Sequence, residues 1–287
     1  MSALLARLID DAALFAPRRA PMDEALSVHR ADADAPAGPG GAGRLVGRFL
    51  CPASRFTELR THLVPEDFLD LGVIADTGIE ELPKAMDAVH AEPRVRPSSV
   101  EIALPRDADQ ARAAAVTIAR LPSDVPARIE VRHAAGWLHA LDRIAAARGG
   151  GAGLGAKFRV GGAPGGDAPT GMNAAAGPAA FISACAAREL PFTCAGRPGA
   201  SPHGPMNVLL ATAHAAAGGS ERDVRDTLGR TDAEGLAREL LALPEDGARA
   251  ARRLLAGFGV PDVRRCRLDL AAAGLIRTPD GGEDMSP

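Results

Sequence analysis

Strand-length apolar runs, each ending near Pro, Gly or Asp, alternate along this chain with stretches whose apolar residues recur at helical spacing. No other feature of the 287 residues narrows the fold so far. Strands alternating with helices of about 10–15 residues build βα units around a parallel sheet. Residues 44–52 (RLVGRFLCP) precede a short helical stretch from Ser54 that takes in Glu58 and Leu59. Residues 68–76 (FLDLGVIAD) lead into GIEELPKAMDAVHA, and 98–105 (SSVEIALP) into DADQARAAAVTIARL, whose acidic start suits a helix N-terminus. Residues 127–133 (ARIEVRH) lead into GWLHALDRIAAAR. Residues 154–162 (LGAKFRVGG) are followed by a Gly/Pro loop and GPAAFISACAAREL, and 191–196 (PFTCAG) by a longer loop and MNVLLATAHAAAG. Finally 252–259 (RRLLAGFG) leads into PDVRRCRLDLAAAGLI, with Pro261 suited to a first helical position.

An eighth unit comes from residues 11–17 (DAALFAP) followed by MDEALSVHRADA, although Leu4, Leu5, Leu8 and Ile9 also fit one face of a helix. Right-handed βα units in this number close most simply into a (β/α)8 TIM-type barrel, a fold of about 250 residues. An open doubly wound parallel sheet is the alternative, but no G-x-G-x-x-G opens a helix after the first strand. Residues 1–277 are expected to form one barrel domain and 278–287 a disordered tail. The low-complexity pieces 31–43 and 161–172 are then loops, the second on the C-terminal face where barrel enzymes keep their chemistry.

Composition removes several classes. A net charge of −3 offers no basic footprint for nucleic acid, and no apolar span is long enough for a membrane helix. Asp10 and Asp11 interrupt the N-terminal apolar run, which does not read as a leader. Cys51, Cys185, Cys194 and Cys266 lack C-x-x-C spacing and read as reduced thiols of a cytoplasmic protein. With 3% aromatic residues the core must be built from Ala, Leu and Val.

Alternation along the strands assigns faces. If Ala156, Phe158 and Val160 meet the helices, Lys157 and Arg159 turn inward. By the same rule Ile129 and Val131 send Arg128, Glu130 and Arg132 inward, and Val100, Ile102 and Leu104 send Glu101 inward beside Ala103. Asp76, Cys51, Thr193 and Cys194 lie near the C-terminal ends of other strands. Charges gathered in a lumen must pair or bind a ligand, since an isolated buried charge costs several kcal/mol. Lys157 stands out because only it and Lys84 are lysines among 33 basic residues. Arginine supplies charge and hydrogen bonds at least as well, whereas only lysine can lose its proton beside other cations and act as nucleophile or base. A purely structural ionic layer is the competing explanation.

His203, in SPHGPMN, is the histidine best placed for acid–base work after the strand at 191–196, and His133 also ends a strand. His29, His62, His90, His139 and His214 fall on helices and are expected to face solvent. Glu101 and Glu130 could form a two-carboxylate pair, but neighbouring arginines point to salt bridges instead. No histidines share metal-ligand spacing with a carboxylate, so no metal or cofactor is expected. Glycines 161, 162, 165, 166, 257 and 259, with Arg18 and Arg19, could contribute to holding an anion.

The runs DDAALFAP, LVGRFLCPASR, AKFRVGG and HGPMNVLLA, in this order, resemble a family of uncharacterised bacterial proteins. The resemblance spans most of the chain and implies a shared fold, with no activity to carry over. Where the family continues its 191–196 strand into AGLHH, this chain has Ala195, Gly196, Arg197 and Pro198, so that histidine pair is missing. His203, Gly204 and Asn207 match the family's later HG..N run. The expected function is a metal-independent enzyme acting on a small anionic metabolite, a carboxylate or phosphate, as a lysine-dependent lyase, aldolase or isomerase. Lys157, His203 and Glu130 would be catalytic, with Arg159, Arg132, Glu101, Asp76, Arg197 and Asn207 around the substrate. A homo-oligomer is allowed, and a non-catalytic ligand-binding or scaffold barrel is the second class.

Overall fold

The computed structural model describes residues 2–33, 44–148, 153–159, 176–196 and 204–276. Eight parallel strands pair in chain order and close on themselves: β1 (Ile9–Asp11), β2 (Val46–Pro52), β3 (Leu69–Ile74), β4 (Val95–Ala103), β5 (Ala127–Glu130), β6 (Gly155–Arg159), β7 (Phe192–Ala195) and β8 (Leu255–Val260). Closure runs through β1 against β8, where Ile9 aligns with Phe258 and Asp10 with Gly259. This is the (β/α)8 barrel, and the open doubly wound sheet is set aside.

Helices connect successive strands: α2 (Met22–Ala33), α3 (Phe56–His62), α4 (Leu82–His90), α5 (Gln110–Ile118), α6 (Trp137–Ala147), α7 (Ala176–Ala187), α8 (Pro205–Ala216) and, after β8, α12 (Val263–Ala272). Their starts are written locally. Asp109 accepts from the Arg112 amide and Asp262 from the Arg265 amide, satisfying otherwise unpaired N–H groups at helix N-termini. The apolar strand residues named above pack outward: Val100, Ile102, Ile129, Val131 and Ala156 are buried. Phe181 of α7 stacks on Phe158 at 4.9 Å and meets Phe192 edge-on at 5.6 Å, which seats that helix across β6 and β7.

Two expectations are corrected here. The first strand is residues 9–11 and not 11–17, because the short helix α1 (Ser2–Leu5) takes the start of the apolar run. Asp10 and Asp11 then sit on opposite faces of β1, one inward and one toward α2. The last strand starts at Leu255 and not at 252, because a helix takes the residues before it. The stretch before β8 holds α9 (Glu221–Leu228), opened by a reciprocal Ser220–Asp223 capping box, then α10 (Ala233–Ala242) and α11 (Glu245–Leu254). The N-terminal end of the lumen is tied across by Asp70, which accepts from Arg7, from Arg96 Nε at 2.6 Å and from Ser98 at 3.2 Å.

Candidate active site at the C-terminal mouth of the barrel

The lumen carries a chain of alternating charge. At its lower end Arg48 of β2 and Asp10 of β1 form a buried pair, with the Arg48 amide and Nε each 3.0 Å from Asp10 Oδ1. Burial works against the Arg48 guanidinium, but Asp10 outweighs it and holds it above its ordinary value. Gly257 of β8 leaves room for this pair: a Cβ there would lie 2.3 Å from Asp10 Oδ2 and 2.6 Å from an Arg48 amino group. Arg128 stands next, its Nη1 2.7 Å from the Gly153 carbonyl; burial and the Arg48 charge push it down to about 10.

Higher up, parallel register brings the expected residues together. Glu101 aligns with Arg128, Ala103 with Glu130, and Glu130 with Lys157. The Lys157 ammonium donates to Glu101 and lies 3.6 Å from Glu130 Oε2. Glu130 in turn accepts Arg159 Nε at 3.0 and 3.1 Å. Burial pushes the Glu101 carboxyl up, yet Lys157 and Arg48 together outweigh burial and hold it below the ordinary carboxylate value. The Lys157 side chain is 6% exposed, whereas that of Arg159, one step nearer the mouth, is 33% exposed. Alternation thus placed all four of these residues on the inner face, as the sequence implied.

The surroundings of Lys157 differ from those a nucleophilic amine requires. Arg159 and Arg132 were expected beside it; the groups in contact with its nitrogen are two carboxylates. Such an arrangement suits a charged ammonium. Arg132, two residues beyond Glu130, has no ion pair among the described residues, and its buried Nε has no partner among them. Its backbone amide donates to Gln110 Oε1 at 3.2 Å, which fastens the end of β5 to α5. Asp76, exposed at the end of β3, accepts from the Ser54 amide at 3.0 Å and from its hydroxyl, joining the loops after β2 and β3.

Asn207 is engaged within the fold. It is fully buried in the first turn of α8, and its amide nitrogen donates to the carbonyls of Thr227, Leu228 and Arg230 at 3.0, 3.3 and 2.9 Å. It closes the C-terminal end of α9, because helix ends leave carbonyls that need donors. His203 and Arg197, with glycines 161, 162, 165 and 166 and residues 278–287, lie outside the described residues. His133 is exposed and packs on Trp137 at 4.8 Å.

Two helical histidines were misjudged as solvent-facing. His29 is 4% exposed, with Nδ1 3.2 Å from Asp11 Oδ2 and its ring edge-on to Phe49. His214 is half-buried, 3.0 Å from the Thr227 hydroxyl. The residues that sequence reasoning missed are Asp10 and Arg48. Asp10 becomes legible by alternation once β1 is bounded at Ile9–Asp11, and Arg48 already lay within the expected second strand. Among the described residues no group of three or more His, Cys, Asp or Glu could hold a metal ion. No helix among them is long and apolar enough to cross a membrane.

No protein-family model matches the chain, and no curated protein matches it either.

Proposed function

We propose that the chain is a barrel enzyme acting on a small anionic metabolite, a carboxylate or phosphate, at the C-terminal ends of β5 and β6. The observation that carries this is the charge balance at the mouth. Glu130 is already committed to Arg159 and Lys157, while Arg132 has no carboxylate partner among the described residues. An arginine so placed is stabilised by an anion from outside.

In this reading Arg159 and Arg132 hold the anion, and Glu130 is the proton acceptor for a lyase or isomerase step next to it. Lys157, 3.6 Å from Glu130 Oε2, positions that carboxylate from below. Asp76 ends a neighbouring strand, and Arg197 and His203, outside the described residues, would add an anion contact and a second proton carrier. The Schiff-base version loses its physical basis, because two carboxylates surround the nitrogen that would have to lose its proton. Borohydride trapping with a panel of oxo acids is expected to leave Lys157 unmodified.

The test of the anion site is thermal unfolding with small carboxylates and with phosphate. They are expected to raise the midpoint of the wild type, and Arg159→Met and Arg132→Met to lose that gain. If no anion stabilises the wild type, the proposal falls. One observation favours a non-catalytic scaffold instead: the near-complete enclosure of Lys157 between Glu101 and Glu130. That alternative predicts that Lys157→Arg retains every binding property, since a structural cation can be replaced where arginine fits.

A further inference from the structure

Lys157 has a neighbour that the ionic chain does not use. Thr193 of β7 is its partner in register, shares the inward-facing side of the strand with Ala195, and is 2% exposed. Its hydroxyl is buried and has no hydrogen-bond partner among the described residues. A buried hydroxyl left unpaired is destabilising, and a valine of the same shape would avoid the cost.

Besides Arg132 Nε at the mouth, Ser99 Oγ and Arg128 Nε share this condition. They stand two residues nearer the N-terminal end than Glu101 and Glu130 on β4 and β5, below the paired charges. Thr193 stands level with Lys157. On its other side β8 contributes only Gly257 and Gly259, which align with Thr193 and Ala195. Toward the mouth the next wall residues are Ala195, Gly259 and Ala12. A Cβ built on Gly259 would meet Ala195 and Ala12 at ordinary distances of 3.7 and 3.8 Å. Among the described residues the groups nearest the Gly259 position are thus the methyls of Ala195 and Ala12 and the side chain of Leu50, the last at 3.4 Å.

We infer that the anion site extends down to Thr193, and that its ligand is a small carboxylate bearing a second oxygen, hydroxyl or carbonyl, which the Thr193 hydroxyl engages. The inference rests on the anion-binding reading given above and adds the substrate class to it. The two arginines take the carboxylate. The second oxygen sits one step deeper, between the Lys157 ammonium and the Thr193 hydroxyl, where it fills the hydroxyl's missing bond. A bare phosphate would satisfy the arginines and leave Thr193 as it is.

Acetate, glycolate and glyoxylate are the probes, titrated against the full chain and against Thr193→Val, Thr193→Ser and Arg159→Met. The wild type is expected to prefer glycolate and glyoxylate over acetate by a few-fold to about tenfold, the range of one hydrogen bond. Thr193→Val should bind all three alike, Thr193→Ser should restore the preference, and urea should unfold Thr193→Val no sooner than the wild type. Thr193→Val keeping the wild-type preference would overturn the inference. So would acetate binding, abolished in Arg159→Met, with no preference for the oxygenated acids; the anion site would then stand without Thr193. If Thr193→Val is destabilised and Thr193→Ser is not, the hydroxyl is a satisfied structural group and the inference fails. If no acid binds the wild type, the anion site fails and this inference goes with it.

Discussion

Replacing Lys157 with methionine isolates what the buried ion pair does for the barrel. Methionine keeps the length and flexibility of the side chain and removes the charge, so Glu101 is left 2% exposed without its closest cation. Breaking a buried pair by removing one partner costs about 3–5 kcal/mol. Arg48 and Arg128 still act on Glu101, which puts the expected loss near the lower end, about 3 kcal/mol at neutral pH.

The pH dependence gives a second, sharper signature. In the wild type Glu101 is held below its ordinary value of 4.5, so its contribution is complete above that value and is lost as pH falls through the lower folded-state value. In Lys157→Met the ammonium no longer offsets burial, and the carboxyl is pushed above its ordinary value. The variant's deficit should then be largest at neutral pH and shrink as the medium is acidified toward about pH 5, where Glu101 takes up a proton on folding. Urea unfolding at both pH values reads this directly. The double variant Glu101→Leu/Lys157→Met should recover most of the loss, since a packed apolar pair replaces an ion pair at little cost. A Lys157→Met variant within about 1 kcal/mol of the wild type, or a deficit that does not change with pH, would refute the paired-charge account.

Three further outcomes follow from the same geometry. Asn207→Ala removes the donor for three carbonyls at the end of α9 and should cost about 1–3 kcal/mol in urea unfolding while leaving anion binding at the mouth intact. Gly257→Ala drives a methyl into the Asp10–Arg48 pair and should cost on the order of 3 kcal/mol or more, whereas Gly259→Ala meets only ordinary contacts and should stay within about 1 kcal/mol; equal effects would show that the lower pair does not depend on the glycine. Burial pushes the thiols of Cys51, Cys194 and Cys266 up to about 12, and that of Cys185 well above its ordinary value, so thiol reagents should modify the described cysteines only when urea opens the fold.

The barrel and its inner charges could be read from the sequence because both depend on short-range rules. Strand alternation turns Glu101, Glu130, Lys157 and Arg159 to one side whatever the neighbouring strands do, and parallel register then needs only chain order to bring them into contact. Where a boundary slipped, the faces slipped with it. Starting β1 at residue 11 put Asp10 outside the strand, so its partner Arg48 went unrecognised although it obeys the same alternation as Lys157. Other properties were invisible in principle. His29 on α2 looks like any helical histidine, and only its packing against Phe49 and Asp11 buries it. The acceptors of Asn207 lie 20 to 23 residues further along, beyond any local rule. The environment of Lys157 belongs to this second kind. Sequence shows that a lysine faces inward among arginines and glutamates, but whether its nitrogen meets cations or carboxylates is decided by stagger between strands. Here Glu101 reaches it from β4, across the intervening β5, and that contact ties it into an ionic network of carboxylates. In the proposed function the chemistry therefore falls to the residues just above, Glu130, Arg159 and Arg132, where cations outnumber carboxylates.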